Sequence, residues 1–571
     1  MDIDKQKKHL LTILVEDYFH VGAFDNLIQQ RNWPNFETRY ERNTLKALDL
    51  LDEFGSKATF FVLGWIGQQN PGLIAEIAGR GHEVASRGFY HRSLRQLTDE
   101  EIREDLKRTR KVLEPAARQK IVGYRAAEKL SYEKDSRVLR ILAEEGYTYD
   151  ASFLPTRRDG RDKRFTHQVH HGGNVIWEFP YSTRDLYAGL LPISGGNYLR
   201  QIPYTLMRFA VRDWTKRYKE PFVFYMHVWE LDPEQPRISA ASNYNRIRHY
   251  RKLDKMEWVL SEHLELYNYT SAADYLEIAD SILLGDKKDF VAVAGPRAEI
   301  SSTSPQNEFE KITIVIPCYN ESEALSYLSN TLRSVENGLK TRGYDVEIIF
   351  INDASTDDTS QRLTALFGNR SNVQILQHDK NKGVAAGIMT GIRAAETEIV
   401  CSMDCDCTYD PHGLVDMIPM LQKGVDMVTA SPYHPKGEVR NVPSWRLTLS
   451  KGASFLYRRA LGSDLSTFTS CFRVYRRSSV AGFDLSESGF LGVAELLGKL
   501  DVSGGRIIEF PATLEVRLFG ISKMKTVRTI GGHLKLLARL SRERFFRKNR
   551  SIETSLKEKR INAAKEEVSG K

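Results

Sequence analysis

A chain of 571 residues is too long for one hydrophobic core, so at least two domains are expected. Its composition, 41% hydrophobic and 27% charged, excludes a disordered or fibrous protein, and no run approaches the roughly 18 apolar residues of a membrane span. The net charge of +8 is modest for the length but uneven, with much of the excess in "SKMKTVRTIGGHLKLLARLSRERFFRKNR" (522–550).

In chain order, the opening "MDIDKQKKHLLTILVEDYF" lacks the apolar core and small-residue cleavage site of a secretory signal, so the protein reads as cytoplasmic. "LLTILV", "ATFFVLG" and "FVFYMHV" read as buried strands, and "TDEEIREDLKRTRKVLE" reads as a helix opened by a capping box between Thr98 and Glu101. A stretch rich in Ser, Pro, Gly and charge then shows no sustained period and reads as a connector. Beyond it, "ITIVIP", "VEIIFIND" and "EIVCSMD" are strands whose C-terminal ends run into polar residues, where open α/β sheets bind ligands. The expected division is 9–283, a linker over 284–310, a second domain over 311–545 and a tail over 546–571. Both domains are α/β.

All five cysteines fall in the second half, with no zinc-type CxxC repeat, and read as reduced structural thiols. In the basic segment, Val527, Ile530, Leu534, Leu537 and Leu540 recur at steps of three and four, which places them on one helical face. Such a helix packs on its own domain or lies on an anionic membrane surface. No nucleic-acid-binding module accompanies it, so nucleic acid is not expected as a partner.

Asp404 and Asp406 in "EIVCSMDCDCTYDP" stand just past a buried strand, and a D-x-D pair can hold a hard divalent cation, Mg²⁺ or Mn²⁺. That spacing alone is weak; its company is specific. "VIPCYNE", "INDASTDD" and "HDKNKGVAAGIMTGI" precede it, and "DLSTFTSCFRVYRR", "GFLGVAELL" and "EVRLFGISKMKTVRT" follow. Together they resemble family 2 glycosyltransferases of the dolichyl- or polyprenyl-phosphate sugar transferase branch, which have the GT-A (Rossmann-like) fold. The resemblance implies that Pro317, Tyr319, Asn320 and Glu321 border a nucleotide, that Asp353 reaches its base or ribose, and that Lys382 and Gly383 close the pocket. It implies metal–diphosphate binding by Asp404 and Asp406, with Thr408 where the branch places a further polar group. Ser470 and Arg473, with Arg458 or Arg459, would hold an acceptor phosphate, and Arg517 and Lys523 would reach either phosphate. Cys471 stands where the family has Gly. A phosphate acceptor needs no strong base; for a sugar hydroxyl, Glu495 would be the candidate.

In the first half, "LLTILVEDYFHVGAF", "HEVASRGFYHRS", "VGYRAAEKLS" and "FVFYMHVWELDPEQPRI" look like a polysaccharide deacetylase, which implies a distorted (β/α) barrel binding metal through one Asp and two His. Here the motif is degenerate. Leu14 replaces an acid, Arg87 replaces the first histidine of S-H-G-Y-D-H, and Ala127 replaces a proline. Glu16, Asp17, His91, Arg125 and His227 survive, with Asp17 and His91 as the residual ligand pair and Glu16, His20 or His82 as substitutes. Arginine cannot ligate a metal, because it has no acceptor atom. The expectation is a sugar transferase using a nucleotide-diphosphate sugar and polyprenyl phosphate, peripheral on the inner membrane face through its basic helix, with an inactive barrel as scaffold or binding module. A bifunctional transferase–deacetylase, a transferase acting on a saccharide hydroxyl, and a non-catalytic sugar-binding assembly protein are the alternatives.

Overall fold

Apolar runs become strands where the sequence places them. The computed structural model describes residues 7–284 and 309–545, apart from 188, 443, 488 and 521–530. Lys523, Val527, Ile530 and the 546–571 tail therefore lie outside the described residues. The rest falls into two compact units that divide near residue 302, with the short segments Pro34–Glu37 and Arg237–Ala240 grouped with the second.

In the first unit, the strand Lys8–Val15 buries every residue after Lys8. A parallel strand covered on both faces shows a continuous apolar run rather than alternation. Parallel to it, in sheet order, run Val223–His227 on one side and Thr59–Val62, Glu83–Ser86, Gly123–Tyr124, Tyr149–Asp150 and Asn174–Glu178 on the other. Helices Tyr40–Glu53, Pro71–Gly79, Asp99–Ala117 and Arg137–Glu144 alternate with these strands. The Thr98–Glu101 capping box opens the third of these helices as expected. Two-residue strands and an antiparallel edge, His167–His171, make this a distorted (β/α) barrel architecture. Glu16, Arg87, Arg125 and His227 all stand at C-terminal strand ends, the face on which such folds build sites.

The second unit is a seven-stranded sheet in the order Val373–Gln377, Tyr344–Asn352, Glu310–Cys318, Ile399–Ser402, Arg473–Arg476, Met427–Ser431, Ile507–Pro511. The first four are mutually parallel, and Arg473–Arg476 runs antiparallel to both neighbours. One apolar cluster holds the helix Leu325–Lys340, and a second holds Val384–Ala394 and Phe490–Val502. The loops after Cys318, Asn352 and Ser402 leave the same C-terminal edge of the sheet; Cys318 and Asn352 end in register, and Ser402 stops opposite Val315.

Residues 531–545 are helical, and Leu536, Leu537 and Leu540 are buried in the second cluster, while Leu534 is exposed. Leu540 lies so close to Gly498 that a Cβ there would meet its Cδ1 at 2.5 Å. Of the predicted apolar positions within 531–545, Leu537 and Leu540 are thus spent on their own domain, and Leu534 remains exposed.

Candidate active site and a remodelled second cleft

Three non-glycine residues at the sheet edge, Asn320, Ala354 and Cys407, adopt positive φ (53°, 57° and 53°). Such residues persist only where surrounding contacts hold them, and they cluster at functional sites. The Asn320 side chain accepts from the Thr356 N–H at 2.7 Å, and the Glu321 N–H donates to Thr359 at 2.8 Å, so the first two loops are laced together.

Asp353 is buried and its carboxylate is fully engaged. It accepts from the backbone N–H groups of Lys382 (2.8 Å) and Gly383 (2.7 Å) and pairs with His378 Nδ1 at 2.7 Å. It caps no helix, since the next one begins at Thr359. Its observed work is to fix the glycine loop, where Gly383 (φ 87°) precedes the helix Val384–Ala394. His378, which the motif reading left unassigned, completes this cluster. The Lys382 ammonium lies at the surface, 2.8 Å from Asp379.

Asp404 is half-buried and Asp406 buried. Burial and the neighbouring Asp406 push the Asp404 carboxyl up to about 7, against the lowering by Arg517 and a hydrogen bond from the Cys471 thiol. Asp406 accepts from the Thr408 N–H at 3.1 Å and pairs with Arg517 Nε at 2.5 Å, while Arg517 also donates to Glu321 at 3.1 Å. Asp404, Thr408, Ser470 and Cys471 line one cavity of about 180 Å³ together with Tyr409, Tyr433, Ser450, Thr467 and Thr469. The last five carry hydroxyls that no motif had singled out. Cys471, where the resemblance expects glycine, sets its thiol against Asp404.

Two expected residues are elsewhere. Arg473 is fully buried, donating to the carbonyls of Val493 (2.8 Å) and Phe468 (2.9 Å), so it pins strand to helix and cannot hold an acceptor phosphate. Glu495 is likewise fully buried. It accepts from the N–H groups of Ser486 (3.0 Å) and Glu487 (2.8 Å) and pairs with Lys499 and Arg539, both at 3.2 Å. A carboxylate so committed is a structural anchor rather than a base. Arg458 donates to Leu465 O at 3.3 Å from an otherwise exposed position, and Arg459 is exposed.

The first unit holds a larger cleft, about 640 Å³, lined among others by Glu16, Arg87, His91 and His227. Arg87 donates to Glu16 at 2.7 Å and to Ala126 O at 3.0 Å, with its second terminal nitrogen 3.5 Å from His91 Nε2. His227 Nδ1 meets the other Glu16 oxygen at 2.5 Å. Thus a guanidinium stands among the residues that would surround a cation. Asp17 corrects the expected ligand pair. It accepts from the N–H groups of Tyr18 (3.0 Å), Arg39 (2.6 Å) and Tyr40 (3.0 Å), holding the start of helix Tyr40–Glu53. Burial pushes its carboxyl up to about 7 despite these donors. Arg125 donates to Thr12 at 2.9 Å and lies 4.7 Å from the ring centres of Tyr181 and Tyr225. His20 and His82 are buried and bonded to backbone N–H groups, so neither substitutes as a ligand. Among the described residues, no three or more His, Cys, Asp or Glu side chains are arranged to hold a metal.

A parallel sheet extended through one antiparallel strand, with an acid pair beyond its central strand and a hydroxyl-lined pocket beside it, is the arrangement of a GT-A fold. Residues 313–483 match the family model for glycosyl transferase family 2, residues 29–149 that for polysaccharide deacetylase, and residues 151–277 a domain of unknown function, DUF3473. The chain therefore carries a family 2 glycosyltransferase domain joined to a polysaccharide deacetylase domain, whose match gives way to the third family after residue 149.

The dolichol-phosphate mannosyltransferase of Pyrococcus furiosus is 31% identical over 232 residues, 40% of this chain and 63% of its own length. The polyprenol monophosphomannose synthase of Mycolicibacterium smegmatis is 28% identical over 244 residues, 41% of this chain and 89% of its own. The undecaprenyl-phosphate 4-deoxy-4-formamido-L-arabinose transferase of Klebsiella pneumoniae is 27% identical over 224 residues, 39% and 64%. The chain thus spans less than two thirds of the first and third of these relatives. Among solved structures, a chain assigned as a polysaccharide deacetylase from Mycobacterium smegmatis aligns at TM-score 0.32 and 18% identity, covering 48% of this chain and 91% of that one. Glucosyl-3-phosphoglycerate synthase from Mycobacterium tuberculosis aligns at 0.30 and 20%, covering 41% and 80%.

Proposed function

We propose that the second unit transfers a glycosyl group from a nucleotide-diphosphate sugar to polyprenyl phosphate at the cytoplasmic face of a membrane. The relatives' names support the acceptor class, and the acid pair supports the donor chemistry. Asp404 and Asp406 offer hard oxygen donors, and burial, followed by the like charge of Asp406, pushes the Asp404 carboxyl up, a load that a divalent cation would relieve. They suit Mg²⁺ or Mn²⁺, which when bound neutralises charge on the departing diphosphate. Arg517, already held over Asp406 and Glu321, supplies a guanidinium for the same phosphates. Pro317, Tyr319 and Asn320 border the nucleotide, and Asp353 shapes its pocket through Lys382 and Gly383.

The observation that carries the acceptor is the helix Ser444–Leu461. Tyr457 and Leu461 pack into the core while Ser450 lines the Asp404 cavity. On the opposite side Trp445, Leu449 and Leu456, four and seven residues apart, are exposed beside Phe455, Lys451, Arg458 and Arg459. An exposed apolar stripe flanked by cations suits a lipid surface, and it lies on the same helix that contributes Ser450 to the cavity lining. Ser470, with Thr467 and Thr469, offers hydroxyls to that phosphate. Its oxygen is already ionised, so attack on the anomeric carbon needs positioning more than a base. In-line displacement inverts the configuration. Among the described residues lining the cavity, Asp404 alone carries a carboxyl group, which favours a phosphate over a hydroxyl acceptor. In the first unit, Arg87 within the Glu16, His91 and His227 cluster supports a non-hydrolytic module.

The test incubates purified protein with UDP-, GDP- and dTDP-sugars, polyprenyl phosphate and Mg²⁺ or Mn²⁺, reading lipid-linked product. Asp404→Ala and Asp406→Ala should each lower turnover by at least about 100-fold, the scale of removing one transition-state stabiliser. Full activity in both variants would exclude the acid pair from the chemistry.

A further inference from the structure

The first unit's cleft is more than a relic of a lost metal site, because its charges do not balance. Arg87 is matched by Glu16 at 2.7 Å, Arg95 by Glu128 at 3.2 Å and Arg200 by Glu230 at 2.7 Å. Lys129 has no carboxylate partner among the described residues. Its ammonium donates to the Tyr198 hydroxyl at 3.1 Å and sits 4.3 Å and 5.3 Å from the ring centres of Tyr198 and Tyr181. Burial, then the guanidinium groups of Arg248 and Arg125, push it down to about 8. The nearby acid Asp25 is pushed up to about 6 by burial and by Glu16 and Glu128 and stays mostly ionised at neutral pH, yet among the described residues no ion pair joins it to Lys129. A cation held against burial and like charge, at the wall of an open cleft, is the signature of a site completed by an anion.

A second observation is independent of charge. Trp229 lines the same cleft and is 4% exposed, yet its indole N–H has no acceptor. Its ring is fixed by stacking on His249, with centroids 4.2 Å apart. A buried donor left open costs free energy unless something fills the role. Tyr198 and Tyr225 add flat apolar surface along the wall, and the volume of about 640 Å³ is that of a small-molecule site.

We propose that this cleft binds a saccharide bearing an anionic group, a phosphate or a carboxylate, without hydrolysing it. Lys129 takes the anion, Trp229 donates to a sugar or anion oxygen, and the Arg87–Glu16 pair closes the end of the cleft where a metal-bound water would otherwise act. The binding claim rests on the charges and the open donor; its non-hydrolytic half rests on the reading of this unit given above.

The test is titration calorimetry on the full chain carrying Asp404→Ala and Asp406→Ala, so that transferase turnover does not intrude. Glucose 1-phosphate, glucuronic acid and methyl glucoside are the probes. At least one anionic sugar should bind tenfold or more tightly than methyl glucoside, and whichever binds tighter names phosphate or carboxylate as the source. Lys129→Ala should weaken it at least tenfold and Lys129→Arg no more than threefold. Should Lys129→Ala melt early, Arg248→Gln, on the same wall, should weaken binding severalfold. Equal binding of methyl glucoside, no binding of any probe, or an unchanged affinity in folded Lys129→Ala would overturn the proposal. Acetate released from N-acetylglucosamine oligomers with Zn²⁺ or Co²⁺ would sink the non-hydrolytic half alone.

Discussion

Glu16 is the keystone of the remodelled cleft, and replacing it isolates what Arg87 does there. Both side chains are almost fully buried, and the glutamate also meets His227. Burial pushes the Glu16 carboxyl up, but Arg87, His227 and His91 together hold it well below its ordinary value of 4.5. Glu16→Gln keeps the shape and leaves the guanidinium buried without a counter-charge, which costs about 3–5 kcal/mol. For a domain of this size each kcal/mol lowers the melting temperature by about 2–4 °C, so the first unit's transition should fall by about 10 °C. Glu16→Gln with Arg87→Met removes both charges and should recover most of the loss. Because the folded carboxyl titrates below its unfolded value, the wild-type stabilisation is complete above about pH 5 and is lost as pH falls through the folded value. The Glu16→Gln variant should lack that acid-side decline. Differential scanning calorimetry of the three variants from pH 7 to 3 supplies the measurement. A Glu16→Gln cost below 1 kcal/mol, or a double variant no more stable than the single, would refute the reasoning.

Two further outcomes separate structural from chemical residues. Glu495→Gln should keep turnover within about threefold while lowering the second unit's melting temperature by several degrees, since it loses bonds to backbone N–H groups and two cations; a hundredfold drop in kcat at full folding would restore it as a base. Asp17→Ala should cost about 3 kcal/mol by orphaning three N–H groups, two of them buried, with no change in metal content by elemental analysis; an unchanged melting curve would contradict its role at the helix start.

The main buried strands, the acid pair beyond Ile399–Ser402 and the glycine loop were all legible in the sequence, because each depends on near neighbours. A covered parallel strand needs a continuous apolar run, a polar segment must follow where the strand leaves the sheet, and a loop that turns at positive φ selects glycine. The substitution of Arg87 for a histidine was equally legible, since arginine has no lone pair to offer a metal.

What became of each polar side chain was decided only by tertiary structure, because its partner lies far along the chain. Glu16 and Asp17 are adjacent, yet one meets Arg87, 71 residues away, and the other turns to the backbone at Arg39 and Tyr40. Consecutive side chains leaving a strand point opposite ways, so one enters the cleft and its neighbour does not. Arg473 has an arginine's phosphate-binding chemistry, but the sheet buries it between two carbonyls. Leu537 and Leu540 have the period of a membrane-surface helix, but the core beside Gly498 takes them first. Sequence thus set which groups are available at each strand end; packing set which of them remain free to meet a ligand.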